Sequence, residues 1–250
     1  MTAAPATQSS INDAELAQFE ATAAAWWDEN GPFKPLHRLN PVRLQFIRDQ
    51  LCLHFDRDPK DLKPLRGLRI IDVGCGGGLI SEPLARLGAD VTAIDAGEEA
   101  IGVASAHAAL SGLEIEFRQT TAEVLVDSGE LFDAVVSLEV IEHVADIETF
   151  LGSLGQLVRP GGTLVLGTLN RTLKSLALAK IGAEYILRWV PAGTHDWRQF
   201  VKPSELARGL RPYDVAVETL VGIVYNPARD EWRLSEDIDV NYLASFRRAD

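Results

Sequence analysis

Glu139, Glu142 and His143 stand within five residues of one another, directly after the apolar run Phe132-Asp-Ala-Val-Val-Ser137. If that segment makes a helical turn, i,i+3 and i,i+4 spacings bring both carboxylates and the imidazole to one face. Such a face can hold a divalent cation, Mg2+ or Mn2+. His143, with Glu142 beside it, can instead do acid–base work, and the plainest alternative is that the group only packs against a neighbouring loop. A second constellation is Asp72-Val-Gly-Cys-Gly-Gly-Gly78. Gly74, Gly76 and Gly78 let the backbone turn sharply and approach a ligand with no Cβ in the way. Asp95 ends the next apolar run, where a carboxylate can accept both hydroxyls of a ribose. A ligand-free turn and a helix N-cap are the bland readings of these two features. Leu79 stands where a dinucleotide fingerprint wants glycine or alanine, which disfavours an NAD(P) oxidoreductase.

These residues need elements to position them. Short apolar runs at Leu68–Val73, Val91–Asp95, Ile115–Arg118, Phe132–Ser137 and Gly162–Gly167 alternate with helical stretches at about Leu79–Leu87, Glu98–Leu110 and Asp146–Val158. That alternation predicts an α/β fold, a doubly wound and mostly parallel sheet with helices on both faces. Val215–Val224 and Asn241–Phe246 bring the expected count to seven strands. Ahead of the sheet, residues 11–67 read as a helical cap. One helix is expected from Ser10 to about Trp27 and another from Pro41 to Phe55, separated by a stretch (Phe33–Pro41) too rich in proline to be regular. Residues 1–10 read as a disordered tail, and 11–250 as one domain. Trp26 and Trp27 are assigned to the core.

The chain has 250 residues and a formal net charge of −12, so nucleic acid is excluded as a general partner. Cys52 and Cys75 lack zinc spacing and fit a reducing compartment. The N-terminus carries neither an apolar core nor a basic leader, and the expectation is a cytoplasmic protein.

The Gly-x-Gly-x-Gly turn after an acidic strand end resembles motif I of the class I S-adenosylmethionine methyltransferases. Phe132-Asp133 through Leu138 and the Arg159-Pro-Gly-Gly162 turn resemble later motifs of that superfamily. Longer segments narrow the resemblance: Ala25-Trp-Trp-Asp28, Phe33-Lys-Pro-Leu-His-Arg-Leu-Asn-Pro-Val-Arg43, Gly182–Arg188, Val190–Asp196, Phe200–Leu206 and Val240-Asn-Tyr242 are similar to the ubiquinone-biosynthesis O-methyltransferases. That resemblance spans about Asp13 to Tyr242. It implies S-adenosylmethionine as cofactor and two O-methylations of polyprenyl phenol or quinol substrates. It implies cofactor contacts at Arg43, Gly74, Asp95 and Leu138, and a divalent cation at Glu139, Glu142 and His143. An acceptor that is some other small phenol, and a non-catalytic scaffold within a ubiquinone-making assembly, are the alternatives.

Residues 171–190 read as an insertion after the fifth strand. Leu173, Leu176, Ile181, Ile186 and Trp189 are apolar, while Lys174, Lys180, Glu184 and Arg188 share one sector. Such a helix can lie in a lipid interface, giving peripheral contact with the inner membrane, or close over the site as a lid. His195 and Asp196 beyond it line the acceptor pocket or cap the next helix.

Overall fold

The computed structural model describes residues 9–178 and 196–250. Its centre is one eight-stranded sheet. In chain order the strands are β1 (Arg69–Val73), β2 (Asp90–Asp95), β3 (Glu116–Gln119), β4 (Phe132–Leu138), β5 (Val158–Leu169), β6 (Val215–Asn226), β7 (Glu231–Ser235) and β8 (Asn241–Arg248). Across the sheet they run β3-β2-β1-β4-β5-β8-β6-β7. The first five are mutually parallel; β8 is antiparallel to β5, and β6 antiparallel to β8 and β7. The doubly wound class is as expected, but the count is eight rather than seven. The added strand, β7, is a short edge strand of sequence Glu-Trp-Arg-Leu-Ser, folded back on β6 through a turn at 227–230. Its charged residues suit an edge, and they hide it from a search for apolar runs.

The helices are α1 (Asp13–Glu20), α2 (Lys34–His54), α3 (Ser81–Arg86), α4 (Glu98–Leu110), α5 (Ala122–Ser128), α6 (Ile147–Leu157), α7 (Leu173–Ser175) and α8 (Pro203–Leu210). Inner strands are covered on both faces. Ile71, Val135 and Leu166 face Leu154 of α6 and Leu206 of α8, whereas Ile70, Val136 and Leu243 face Ile47 and Leu51 of α2 and Leu84 of α3. This two-sided burial is why β1 and β4 read as continuous apolar runs.

The cap departs from expectation in three places. Asn12 caps α1 through the Ala14 and Glu15 N–H groups, but α1 ends at Glu20 instead of Trp27. Thr22 leaves helical geometry with its hydroxyl bonded to the Phe19 carbonyl, and a 3₁₀ turn follows at Ala23–Ala25. The proline-rich stretch is helical: α2 starts at Lys34. Pro35 lies in the first turn, where the N–H that proline lacks would have had no partner within the helix. Pro41 removes one bond, to the His37 carbonyl, but Leu39, Val42 and Phe46 are buried around it and hold the helix together. Ser10, placed in the tail by composition, is buried, and its carbonyl accepts the Ala145 N–H at 2.8 Å. Residues 1–8 lie outside the described part. So do 179–195, which contain most of the expected insertion helix and His195. Among the described residues no helix is long and apolar enough to cross a membrane.

Candidate active site

The turn after β1 brings Gly74, Gly76 and Gly78 into left-handed conformations, with φ of 75°, 51° and 85°. A Cβ at Gly74 would lie 2.3 Å from Val140 Cγ2, and one at Gly76 would lie 2.4 Å from the Trp26 ring. Both positions therefore exclude a side chain by conformation and by space. Gly74 and Gly76 line a cavity of about 810 Å³ along the C-terminal edge of the parallel strands. Gly78 does not line it. It permits the turn and the approach of α4 and β3, where its Cβ would meet Ala104 and Phe117 at 3.4 Å.

Asp95 closes the turn. Its carboxylate accepts the Gly76 N–H at 2.9 Å and the Gly97 N–H at 2.8 Å. Burial pushes this carboxyl up, and the two backbone bonds pull against that shift. A carboxylate has about four acceptor directions, so Asp95 keeps capacity toward the cavity it lines. Beneath it, burial pushes the Asp72 carboxyl up to about 7, while the Ser81 hydroxyl, donating at 2.6 Å, opposes the rise. Asp72 also lines the cavity. Next along the wall stands Glu123 in the first turn of α5. It is buried, and neither carboxylate oxygen has a hydrogen-bond partner among the described residues. Sequence reasoning missed α5 and this residue, because one glutamate in a seven-residue helix gives no pattern. Together these features form a glycine cradle, a carboxylate at a strand end and an orphaned buried acceptor. They suit an adenosyl ligand with ribose hydroxyls and an exocyclic amine.

The chain after β4 does not form the helical turn assumed for the Glu139, Glu142 and His143 cluster. Glu139 is left-handed (φ 56°), and a 3₁₀ turn follows at Ile141–His143. A left-handed residue ahead of a three-residue turn sends the side chains apart. Glu139 reaches back to α2, where Oε1 lies 2.6 Å from the buried Arg43 guanidinium. Glu142 turns beneath the sheet edge and accepts the Thr168 hydroxyl at 2.8 Å. It does not line the main cavity. Burial, then repulsion from Glu139, holds its carboxyl well above the usual range. His143 lines the cavity, with Nδ1 3.1 Å from Glu15 of α1 and Phe19 edge-on at 5.1 Å. Among the described residues, no three His, Cys, Asp or Glu side chains are grouped to hold a metal.

Arg43 and Leu138 both line the cavity. Trp26 is core, as expected, but its role is specific: it stacks on Phe33 at 3.8 Å and covers the glycine turn. Trp27 stacks on His107 and donates to the Gly77 carbonyl at 2.9 Å. Asp196 caps the turn at Trp197–Gln199 by accepting the Arg198 N–H. Lys174, assigned to the basic face of the insertion, is paired with Asp237 and Asp239. Glu15 was invisible as a site residue, since it lies 128 positions from its partner.

The fold and cavity define a methyltransferase of the class I type. Residues 71–166 match the family described as a methyltransferase domain. A magnesium protoporphyrin IX methyltransferase from Synechocystis PCC 6803, solved with bound S-adenosylhomocysteine, superposes with a TM-score of 0.61. It is 20% identical and covers 93% of this chain and 94% of its own. A possible histamine N-methyltransferase from Thermotoga maritima superposes at 0.63, with 16% identity over 94% and 99% of the two chains. These likenesses show the fold. The ubiquinone biosynthesis O-methyltransferase of Mesorhizobium japonicum is 52% identical over 94% of this chain and 95% of its own length. That of Azorhizobium caulinodans is 51% identical over 93% and 92%. The chain belongs to the ubiquinone biosynthesis O-methyltransferase family.

Proposed function

We propose that the protein transfers the methyl group of S-adenosylmethionine to phenolic hydroxyls of polyprenylated ubiquinone precursors, at both O-methylation steps. The observation that carries this reading is the continuity of the cavity. One space joins the glycine turn and Asp95 to Glu139 and His143, and then to apolar walls beyond.

Bound S-adenosylmethionine supplies an electrophilic methyl group on a sulfonium sulfur. Asp95 would hold the ribose hydroxyls of the bound cofactor, and Glu123 would accept the N–H of its adenine amino group. The backbone at Gly74 and Gly76 admits the amino-acid end, next to Arg43 paired with Glu139. A free phenol ionises near pH 10 and attacks poorly while protonated. With a carboxylate at Nδ1, His143 carries its proton on that nitrogen and keeps Nε2 as an acceptor. Nε2 would accept the phenolic proton, which makes the oxygen a better nucleophile toward the methyl group that the cofactor would supply. Holding donor and acceptor in line supplies much of the remaining acceleration. Glu142, out of the cavity, is a hydrogen-bonded support under β5.

Methyl transfer from labelled S-adenosylmethionine to a short-chain prenylated catechol tests the reading. Turnover supports it; cofactor binding without turnover on any catechol overturns it. Repeated with EDTA and with added Mg2+, the assay shows whether Glu139, Glu142 and His143 regroup around a cation. Only then does chelation abolish turnover.

A further inference from the structure

We infer that the part of the cavity between α2 and the β6–β7 hairpin is the binding site for the isoprenoid tail of the acceptor. The inference rests on the function proposed above and adds to it a place for the hydrocarbon. Strand order separates the two ends of the cavity. The cofactor residues stand at the ends of β1, β2 and β4. Ile223 and Tyr225 of β6 and Trp232 of β7 line the same space from the far side of β5 and β8. Leu36 and Leu39 on α2 face this end, and Pro227 in the hairpin turn completes it.

None of these six side chains bears a formal charge. The charged groups nearby are engaged with one another: Arg43 with Glu139, Lys174 with Asp237 and Asp239, and Arg38 with Asp230. Among the described residues, a hydrocarbon chain there meets charges that are paired with one another, so its burial strands none of them. The wall is also tied in place. Arg38 of α2 donates to the Asp230 carbonyl at 3.1 Å and pairs with its carboxylate, and the Tyr225 hydroxyl donates to that same carboxylate. Between the two ends sits Asn241, in register with Leu169 and Ile223. Its Oδ1 is buried, lines the cavity and has no hydrogen-bond partner among the described residues. This places a polar acceptor where the hydroxylated ring ends and the tail begins.

The test compares catechols of one ring type carrying no tail, one isoprene unit or three, with kcat/KM measured for each. Wild type is expected to gain with tail length. In Trp232→Ala, which opens the wall, and Leu36→Gln, which makes it polar, the ratio of tailed to untailed kcat/KM is expected to fall about tenfold or more. The ratio is independent of the folded fraction, so partial misfolding does not mimic the effect. A wild-type enzyme that methylates catechols without tail preference, or an unchanged ratio in both variants, overturns the inference and leaves the methyltransferase reading standing. No methylation of any catechol overturns the underlying reading instead.

Discussion

The two halves of the cavity are built differently. The end proposed for the cofactor is built on one contiguous stretch, β1 through the start of α4, joined by Glu123 of α5, Leu138 of β4 and Arg43 of α2. Its key contacts are short-range: Asp95 bonds Gly76 and Gly97, and Asp72 bonds Ser81. The acceptor half is gathered from five places in the chain: α1, α2, the turn after β4, the β6–β7 hairpin and the start of β8. Its contacts are Glu15 to His143, Arg43 to Glu139 and Arg38 to Asp230. The first half is a backbone device, with donors fixed by the turn. The second is a set of side chains held across the fold, so it can diverge without disturbing the cofactor.

The largest test of this division is His143→Ala. We expect kcat to fall by about 10²–10⁴-fold, the range for loss of a general base, while cofactor affinity by calorimetry is retained. Equal loss of both would merge the two halves. Asp95→Ala is the mirror experiment. Loss of hydrogen bonds to a charged acceptor is worth about 1.5–3 kcal/mol, and the effect is expected in cofactor Kd, with the thermal midpoint also lowered because two backbone N–H groups lose their acceptor. Gly76→Ala comes next. It forces a Cβ against Trp26 in a left-handed conformation, and a destabilisation of about 1–3 kcal/mol is expected in thermal unfolding. Full stability in that variant would show that the Trp26 cover gives way freely.

A separate test is a pH dependence. Asp72 is raised from its ordinary value of 3.8 to about 7 in the fold. The folded state therefore holds this proton where the unfolded chain has released it. Its contribution to stability is fully present below about pH 4 and is lost as pH rises toward 7. Asp72→Asn is expected to flatten urea-unfolding stability across that window, and an unchanged slope would show that Asp72 stays ionised. Asp95, shifted in the same direction, leaves a residual slope.

Local structure was legible where local rules decide it. Alternating apolar runs located seven of the eight strands, and Glu98–Leu110 matches α4 end for end. Glycines with an acidic residue at the next strand end announced the cofactor turn, because positive φ and close approach are properties of single residues. The same logic misread Phe33–Pro41. Proline weakens a helix locally, but burial of Leu39, Val42 and Phe46 outweighs one missing hydrogen bond.

The sequence by itself determined the class of fold, the glycine turn and the carboxylate at the end of β2, since each follows from backbone freedom and hydrophobic period within a few residues. Only the tertiary structure decided that Glu142 turns away from the cavity, that Glu15 pairs with His143 and that an edge hairpin lines the far end of the cavity. These depend on a single left-handed residue at Glu139 and on partners up to 192 positions apart. Their distances are set by packing of the whole sheet, which no spacing along the chain encodes.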